Sequence, residues 1–285
     1  MKILSIQSHV VYGHVGNRAA VFPLERMGIE VWPLNTVQLS SHTGYGQSKG
    51  MIFPRSHIAE LWDGLEAIGC ASSCDAVLSG YLGSPEIGGA ILEILAAIRK
   101  KNPSVLYCCD PVMGDYERGL YVKPEIPVFF RNEALRLSSI IKPNQFEAEL
   151  LSGITIDSVD AARLACSALH SMGPGMILLT SLDAIPGPGD RISTVLSMRG
   201  EAYVVRTPRF AFPVPPHGAG DMASALFLGY YLKSRDPVAA FEKTANAVHR
   251  VFEATFSAQS RELCILEAQD VFAGEESMFR AERIW

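Results

Sequence analysis

The sequence predicts an α/β fold, a three-layer α/β/α sandwich in which helices cover both faces of a mainly parallel central sheet. Short apolar runs alternate with longer helical segments, and this alternation is typical of βαβ units. Eight runs have the length and composition of strands: 2–7, 30–34, 76–79, 105–109, 139–142, 176–181, 193–198 and 202–207. Because the sequence contains no repeat or linker that would mark a boundary, we expect residues 1–285 to form a single domain.

Two features of the strands predict how the sheet ends. The runs at 193–198 and 202–207 are separated by three residues that include Gly200, which predicts a β-hairpin and an antiparallel edge. Pro33 interrupts the second run. Since proline has no amide hydrogen to donate, this strand should lie near an edge or end at that point.

Helix signals are clearest in two segments that we expect to cover the sheet. Pro85 begins an amphipathic stretch to residue 100, with isoleucine and leucine mostly on one face. Asp236 and Pro237 form an N-cap followed by proline in the first turn. Apolar residues then recur every three or four positions, which indicates a second amphipathic helix.

Composition and charge exclude several classes of protein. Hydrophobic residues make up 48% and charged residues 19% of the chain, which is typical of a folded globular protein. The net charge of -5 comes from scattered charges, so nucleic acid is not an expected partner. The longest uncharged helical stretch, 222–232, is too short to cross a bilayer. We therefore expect no membrane partner.

The N-terminus and the cysteines predict a cytoplasmic location. The first apolar run is broken by Gln7 and His9 and is followed by no small-residue cleavage site, so it does not resemble a signal peptide. Six cysteines are too few for a disulfide framework in a chain of this length. We expect them to be buried thiols in a reducing compartment.

A glycine-rich segment before an apolar helix predicts an anion-binding site. Gly218, Ala219 and Gly220 precede the helical stretch that starts near Met222. Their amide groups and the helix dipole favour bound phosphate. Asp221 lies in the same first turn, where it is suited to accept a proton from a substrate hydroxyl during phosphoryl transfer. A complement to the helix dipole is the purely structural alternative for this residue.

Further carboxylates follow predicted strands. Asp110 and Asp115 lie behind the apolar run at 105–109, a pattern suited to a divalent cation and phosphate or, alternatively, to two turns. Glu147 stands three residues after Asn144. This spacing predicts a capping box, and a metal ligand is the functional alternative.

Two other loops cluster hydroxyl and imidazole groups, after the first strand and at residues 40–46. Both are suited to a small polar substrate, and their histidines fit no zinc pattern. The sequence lacks a Walker-type phosphate loop, a dinucleotide fingerprint after a strand and a nucleophile elbow. Hydride transfer and serine hydrolysis are therefore disfavoured.

Together these segments resemble the pyridoxal (vitamin B6) kinases of the ribokinase-like superfamily along nearly the whole chain. The resemblance rests on seven segments in one order, at residues 7–17, 33–38, 42–46, 78–83, 109–115, 143–151 and 218–221. The last segment is shared across the superfamily, whereas the first and third are selective for the B6 kinases. The resemblance implies a ribokinase-like fold, a homodimer, and transfer of phosphate from ATP to the 5′-hydroxyl of pyridoxal, with pyridoxamine and pyridoxine as further acceptors.

The resemblance also implies roles for single residues. It makes Asp221 the catalytic base beside an anion hole formed by Gly218, Ala219 and Gly220. Residues implied to bind the substrate, in part through its pyridine ring, are Ser8, His42, Thr43, Gly44, Tyr81 and Asp221. Residues implied to organise the ATP phosphates, Mg²⁺ and a monovalent cation such as K⁺ are Asp110, Asp115, Glu147, Thr180, Gly218 and Gly220. Of these, Asp110 and Glu147 are the implied metal ligands. We add Lys142 as a candidate nucleotide-binding residue from its position rather than from the resemblance.

Three residues depart from the family pattern. Lys142 replaces a small or hydroxylated residue, and we expect it either to touch a phosphate or to face solvent. Ala219 lacks a hydroxyl donor that relatives often carry, and Ser48 stands where many relatives have tryptophan, which predicts a looser substrate loop.

Alternative functions remain open from the sequence. A hydroxymethylpyrimidine kinase would use the same phosphoryl-transfer residues with a different ring pocket. A non-catalytic protein that binds B6 vitamers or nucleotides would have no use for a base at the hydroxyl. The sequence also leaves open whether residues 113–123 close as a lid, which Gly114 and Gly119 would permit.

Overall fold

The computed structural model describes residues 1–183, 185, 189–274 and 278–285. Over these residues the strands are β1 (Lys2–Val10), β2 (Glu30–Leu39), β3 (Gly50–Ile52), β4 (Ala76–Ser79), β5 (Leu106–Cys109), β6 (Gly114–Asp115), β7 (Gly119–Leu120), β8 (Ile140–Ile141), β9 (Met176–Leu182), β10 (Arg191–Met198), β11 (Glu201–Pro208) and β12 (Glu282–Arg283). The α-helices are α1 (Asn17–Arg26), α2 (Arg55–Ala67), α3 (Pro85–Lys101), α4 (Glu125–Phe129), α5 (Leu135–Leu137), α6 (Gln145–Ser152), α7 (Val159–Ser171), α8 (Ala219–Ser234), α9 (Pro237–Ser257) and α10 (Asp270–Ala273).

The main sheet has the strand order β12-β11-β10-β9-β8-β5-β4-β1-β2-β3. All pairings from β9 through β2 are parallel, and the pairings at both ends of the sheet are antiparallel. Strands β10 and β11 form the predicted hairpin. The prediction of a mainly parallel sheet with an antiparallel edge is therefore confirmed. Strands β6 and β7 form a separate small hairpin that the sequence did not predict.

Strands β1 and β2 extend beyond their predicted ends because their polar residues continue the parallel ladder. Their pairing runs as far as Val10 and Leu39, with a register shift after Gln7. Pro33 pairs with β1 on one side, while β3 pairs with β2 only from Val37 to Leu39. The expected position of Pro33 near an edge is confirmed, and the alternative that the strand ends there is wrong.

Helices cover both faces of the sheet because successive residues of each strand point to opposite sides. Leu4 and Ile6 of β1 belong to a core that includes residues of α2, α3 and α7. Ile3 belongs to the opposite core, with residues of α1, α8 and α9. Three layers follow from this alternation, as the sequence predicts.

The two predicted helices begin at the prolines that the sequence indicated, Pro85 in α3 and Pro237 in α9. Ser84 precedes α3, and its hydroxyl accepts a hydrogen bond from the amide of Ile87. The Asp236 carboxylate accepts from the amides of Val238 and Ala239 at the start of α9. Within the described part of the chain, each helix is too short or too polar to cross a bilayer.

The cysteines are free, and all except the partly exposed Cys70 are buried. This confirms the prediction of buried thiols for the other five. The carboxyl ends of β1, β4, β5 and β8 meet at one edge of the sheet, because these strands are parallel neighbours. Ligands of open α/β sheets bind at such an edge, and most of the predicted site residues lie in its loops.

Candidate active site

The first turn of α8 begins with a glycine that the local packing requires. Gly218 has a φ of 92°, and a Cβ atom there would lie 1.8 Å from the carbonyl oxygen of His14. Asp221 is the third residue of α8, which begins at Ala219. Its carboxylate accepts a hydrogen bond of 2.8 Å from the amide of Gly16. The turn after β1 therefore holds the carboxylate at a helix N-terminus whose first amides have no partner within the helix.

The environment of Asp221 favours its protonated form more than water does. Burial is the main cause, the nearby Asp110 carboxylate adds to it, and together they raise the pKa of Asp221 to about 6. The Gly16 amide and Lys142 act in the opposite direction. A carboxyl with a pKa near the working pH can accept a proton and release it again, which is what a general base requires.

Asp110 is a buried carboxylate at the end of β5, with a side chain 1% exposed. Its Oδ2 atom lies 3.1 Å from Lys142 Nζ and accepts a 2.7 Å hydrogen bond from Ser224 Oγ. Burial raises the pKa of Asp110, although Lys142 and Ser224 favour the charged form. The prediction from sequence missed Ser224; its only signal is a hydroxyl within an otherwise apolar helix.

Lys142 does not face solvent, so that sequence-based alternative is wrong. The residue is 5% exposed because it follows the short central strand β8, and its ammonium group pairs with Asp110. A Cβ atom at Gly220 would lie 3.1 Å from Lys142 Nζ, so the ammonium group is next to the start of α8. Burial lowers the pKa of Lys142, but Asp110 and Glu147 outweigh burial and the net pKa is raised. Contact with a phosphate remains a prediction.

Glu147 forms the predicted capping box at the start of α6. Its Oε2 accepts from the Asn144 amide at 2.9 Å, while the Asn144 side chain accepts from the Glu147 amide at 2.8 Å. Its Oε1 accepts a 2.8 Å hydrogen bond from the amide of Met113, which fastens the loop after β5 to α6. Burial raises the pKa of Glu147 to about 7, against the effect of Lys142. The metal-ligand role stays a prediction.

Asp110 Oδ1 is the atom that best fits a cation. It is buried and has no hydrogen-bond partner among the described residues. In the same part of the chain, no three His, Cys, Asp or Glu side chains converge as a metal-binding group. A divalent cation beside Asp110 could take further ligands from phosphate and water oxygens, as hard cations do in phosphoryl-transfer sites.

Asp115 and Thr180 lie on other elements. Asp115 is in the β6–β7 hairpin, where its carboxylate accepts hydrogen bonds of 2.6 and 3.0 Å from the Arg118 guanidinium. Burial opposes ionisation, but these bonds outweigh it and lower the pKa of Asp115. Thr180 is in β9, and its amide donates to the Pro143 carbonyl at 3.0 Å, which places it beside the start of α6.

The loop at residues 42–46 forms a single 3₁₀ turn, in which Thr43 and Gly44 are exposed. His42 Nδ1 accepts a 3.0 Å hydrogen bond from the Gly44 amide. From the segment after α9, Arg261 donates to the Gly44 carbonyl at 2.7 Å and Glu262 accepts a 2.5 Å hydrogen bond from the Tyr45 hydroxyl. These contacts hold the loop against the body of the protein.

Glu262 also connects this loop to the turn after β1. Its Oε2 accepts a 2.9 Å hydrogen bond from the amide of His14, a residue 248 positions away. Sequence reasoning missed Glu262 because nothing in its local sequence indicates so distant a partner.

Ser8 lies near the carboxyl end of β1, and Tyr81 follows the neighbouring strand β4. A Cβ atom at Gly16 would lie 2.4 Å from Ser8 Oγ, so the Ser8 hydroxyl is next to the turn whose Gly16 amide binds Asp221. Tyr81 is partly buried, and burial raises its pKa. Its carbonyl accepts a 2.8 Å hydrogen bond from Thr36. Ring stacking by Tyr81 remains a prediction.

The chain is similar to a protein-family model over most of its length and to curated proteins over its whole length. The family described as phosphomethylpyrimidine kinase matches residues 57–264. A pyridoxal kinase PdxY of Corynebacterium diphtheriae is 43% identical over 284 residues and covers 100% of both chains. The pyridoxal kinase PdxY of Pseudomonas syringae pv. tomato is 45% identical over 282 residues, which cover 99% of this chain and 98% of that protein. The chain belongs to the pyridoxal kinase family.

Solved structures of the pyridoxal kinase family share the fold described above. A pyridoxal kinase from Leishmania donovani, in complex with ADP and pyridoxamine, has a TM-score of 0.92 at 28% identity. The match covers 100% of this chain and 99% of that chain. The ribokinase-like fold that the sequence implied is thereby confirmed.

Proposed function

We propose that this enzyme transfers the γ-phosphoryl group of ATP to the 5′-hydroxyl of pyridoxal. The observation that carries the proposal is the position of Asp221, a carboxylate with a pKa of about 6 in the amide-lined first turn of α8. The choice of pyridoxal as the substrate rests on the full-length relatives, which are named pyridoxal kinase. The Leishmania donovani enzyme has been solved with pyridoxamine and with pyridoxine, which supports these vitamers as further acceptors.

In this proposal, the residues of the chain position the reactants and neutralise charge. The amides of Gly218, Ala219 and Gly220 hold the transferring phosphoryl group. Asp221 accepts the proton of the attacking hydroxyl. Lys142, beside Gly220, adds positive charge next to the phosphate, and the Asp110 partner keeps its ammonium group in place. The vitamer is bound by residues near the carboxyl end of β1, in the 42–46 loop and after β4, namely Ser8, His42, Thr43, Gly44 and Tyr81.

We also propose that the reaction requires Mg²⁺ and a monovalent cation such as K⁺. Asp110 and Glu147 would hold Mg²⁺ directly or through water, and Asp115 and Thr180 would lie on the nucleotide side. When bound, Mg²⁺ neutralises negative charge on the transferring phosphates. The free Oδ1 atom of Asp110 supports this role.

The chain as a whole is proposed to be a single-domain cytoplasmic enzyme that works as a homodimer. Free cysteines suit a reducing compartment, and one sheet runs from β3 to β12. Light scattering of the purified protein tests the dimer.

Release of ADP that depends on pyridoxal tests the proposed reaction most directly. Kinetics with hydroxymethylpyrimidine under the same conditions distinguish a pyridoxal kinase from a hydroxymethylpyrimidine kinase. The second alternative is considered because the family described as phosphomethylpyrimidine kinase matches residues 57–264. Pyridoxal should be the better substrate by kcat/KM. Binding of both ligands without ADP release would instead support a non-catalytic binding protein.

The pH dependence of kcat/KM should follow the ionisation of Asp221. Because the ionised carboxylate is the active base, kcat/KM for pyridoxal should fall as the pH drops through about 6, the pKa of Asp221. Glu147, with a pKa of about 7, is the competing explanation. The acid limb should therefore persist in Glu147→Gln, and its loss in that variant would assign the limb to Glu147.

Replacing Glu147 by glutamine should raise the Mg²⁺ concentration needed for half-maximal activity. Glutamine can keep the capping box through its side-chain oxygen, but it loses the acceptor for the Met113 amide and the negative charge that favours a cation. Mg²⁺ titrations of both enzymes at saturating ATP measure the change. An identical titration would limit Glu147 to its hydrogen bonds with the backbone.

A further inference from the structure

Two histidine rings connect the loop at residues 42–46 to the start of α8. The ring centroids of His42 and His217 are 3.8 Å apart, with an interplanar angle of 33°. His217 directly precedes Gly218, and His42 directly precedes Thr43. The contact therefore joins a proposed vitamer-binding residue to the proposed anion hole, across a large separation in sequence.

We propose that His217 is a positioning residue for the vitamer, acting through its stack on His42 to hold the 42–46 loop at a fixed distance from the anion hole. This inference rests on the proposed function, because it assumes that the 42–46 loop binds the vitamer. His217 itself touches neither reacting atom in the proposal, and its effect should therefore appear in vitamer binding rather than in the chemical step.

The packing leaves this arrangement little freedom. A Cβ atom at Gly44 would lie 2.7 Å from His217 Nε2, so only glycine allows the loop to approach this closely. The bond from the Gly44 amide to His42 Nδ1 fixes the orientation of the His42 ring, since Nδ1 must accept. His217 thus contacts both the ring and the backbone of the loop.

The surroundings keep the stack uncharged. The pKa of His42 is lowered to about 4, mainly by burial and also by the nearby His217, Arg118 and Arg261. The pKa of His217 is also lowered, by burial first and then by Arg118 and Arg261, while Glu262 and Asp115 oppose the shift. Two neutral rings in contact attract each other, whereas two imidazolium ions would repel.

Kinetics of His217 variants test the inference. In His217→Ala and His217→Asn, the loss of one aromatic contact should raise the KM for pyridoxal about 3- to 10-fold. The KM for ATP and kcat should stay within about twofold of the wild type, because neither the helix amides nor Asp221 changes. In His217→Phe, which keeps a flat ring, the KM for pyridoxal should return to within about twofold of the wild type.

The control is His57→Ala, which removes another histidine ring contact, with Phe53 at 4.7 Å, at the start of α2. Its kinetic constants should equal those of the wild type. An unchanged KM for pyridoxal in both His217→Ala and His217→Asn overturns the inference. So does a rise in the KM for ATP equal to the rise in the KM for pyridoxal, or a KM for pyridoxal in His217→Phe as high as in His217→Ala. If the wild type itself releases no ADP with pyridoxal, the proposed function is wrong and the inference falls with it.

Discussion

Replacing Asp221 by asparagine should lower kcat by about 10²- to 10⁴-fold, the usual contribution of a positioned general base. Asparagine cannot take the proton from the attacking hydroxyl, but its side-chain oxygen can still accept from the Gly16 amide, as Asp221 does at 2.8 Å. The anion hole is thereby preserved, and ATP affinity should be nearly unchanged. Steady-state ADP release and calorimetric titration with ATP measure the two quantities.

Asp236→Asn is the matched control for this change. Asp236 also lies at a helix N-terminus, where asparagine caps as well as aspartate, so turnover should not change. Near-normal kcat in Asp221→Asn would remove the base from the proposed mechanism. A parallel loss of ATP affinity would instead indicate that the first turn of α8 had moved.

Replacing Lys142 by methionine should lower the free energy of unfolding by about 3–5 kcal/mol, the cost of leaving one charge of a buried pair without its partner. The side chains of Lys142 and Asp110 are 6% and 1% exposed, so water cannot replace the lost contact. Urea unfolding followed by circular dichroism measures the change. The double variant Lys142→Met with Asp110→Asn should recover most of the stability, because it buries no unpaired charge.

The pH dependence of this loss follows from the Asp110 carboxylate. Without Lys142, the pKa of Asp110 in the folded state should rise further above its value in the unfolded chain. A raised carboxyl pKa makes the fold more stable at low pH and less stable as the pH rises through it. The deficit of Lys142→Met should therefore shrink on acidification. In Lys100→Met, which changes an exposed lysine, stability should stay within about 0.5 kcal/mol of the wild type.

Local sequence patterns predicted the elements that depend on local physics. The cap at Asp236 is formed by contacts within four residues, and so is the capping box of Asn144 and Glu147. Contacts of this kind depend on neighbouring residues alone, which is why spacing predicts them. The lengths of β1 and β2 were underestimated because their polar ends gain hydrogen bonds from the ladder, which apolar periodicity does not report.

Contacts between distant residues were beyond the reach of sequence reasoning at the site. The open alternatives for Lys142 were contact with a phosphate and exposure to solvent, whereas its partner is Asp110, a buried carboxylate that directly follows β5. Ser224, Glu262 and the His42–His217 stack were likewise missed. Each joins side chains that come together only after the strands have taken their order in the sheet.

The sequence by itself determined the layered α/β architecture, the helix starts and the residue types available for phosphoryl transfer, because periodicity and capping act over a few residues. Only the tertiary structure decided which charges are buried together and how the 42–46 loop meets α8. Those outcomes depend on strand order and register, which bring Asp110, Lys142 and Asp221 to one edge of the sheet. Burial there is the physical reason that the pKa of Asp221 lies near neutrality.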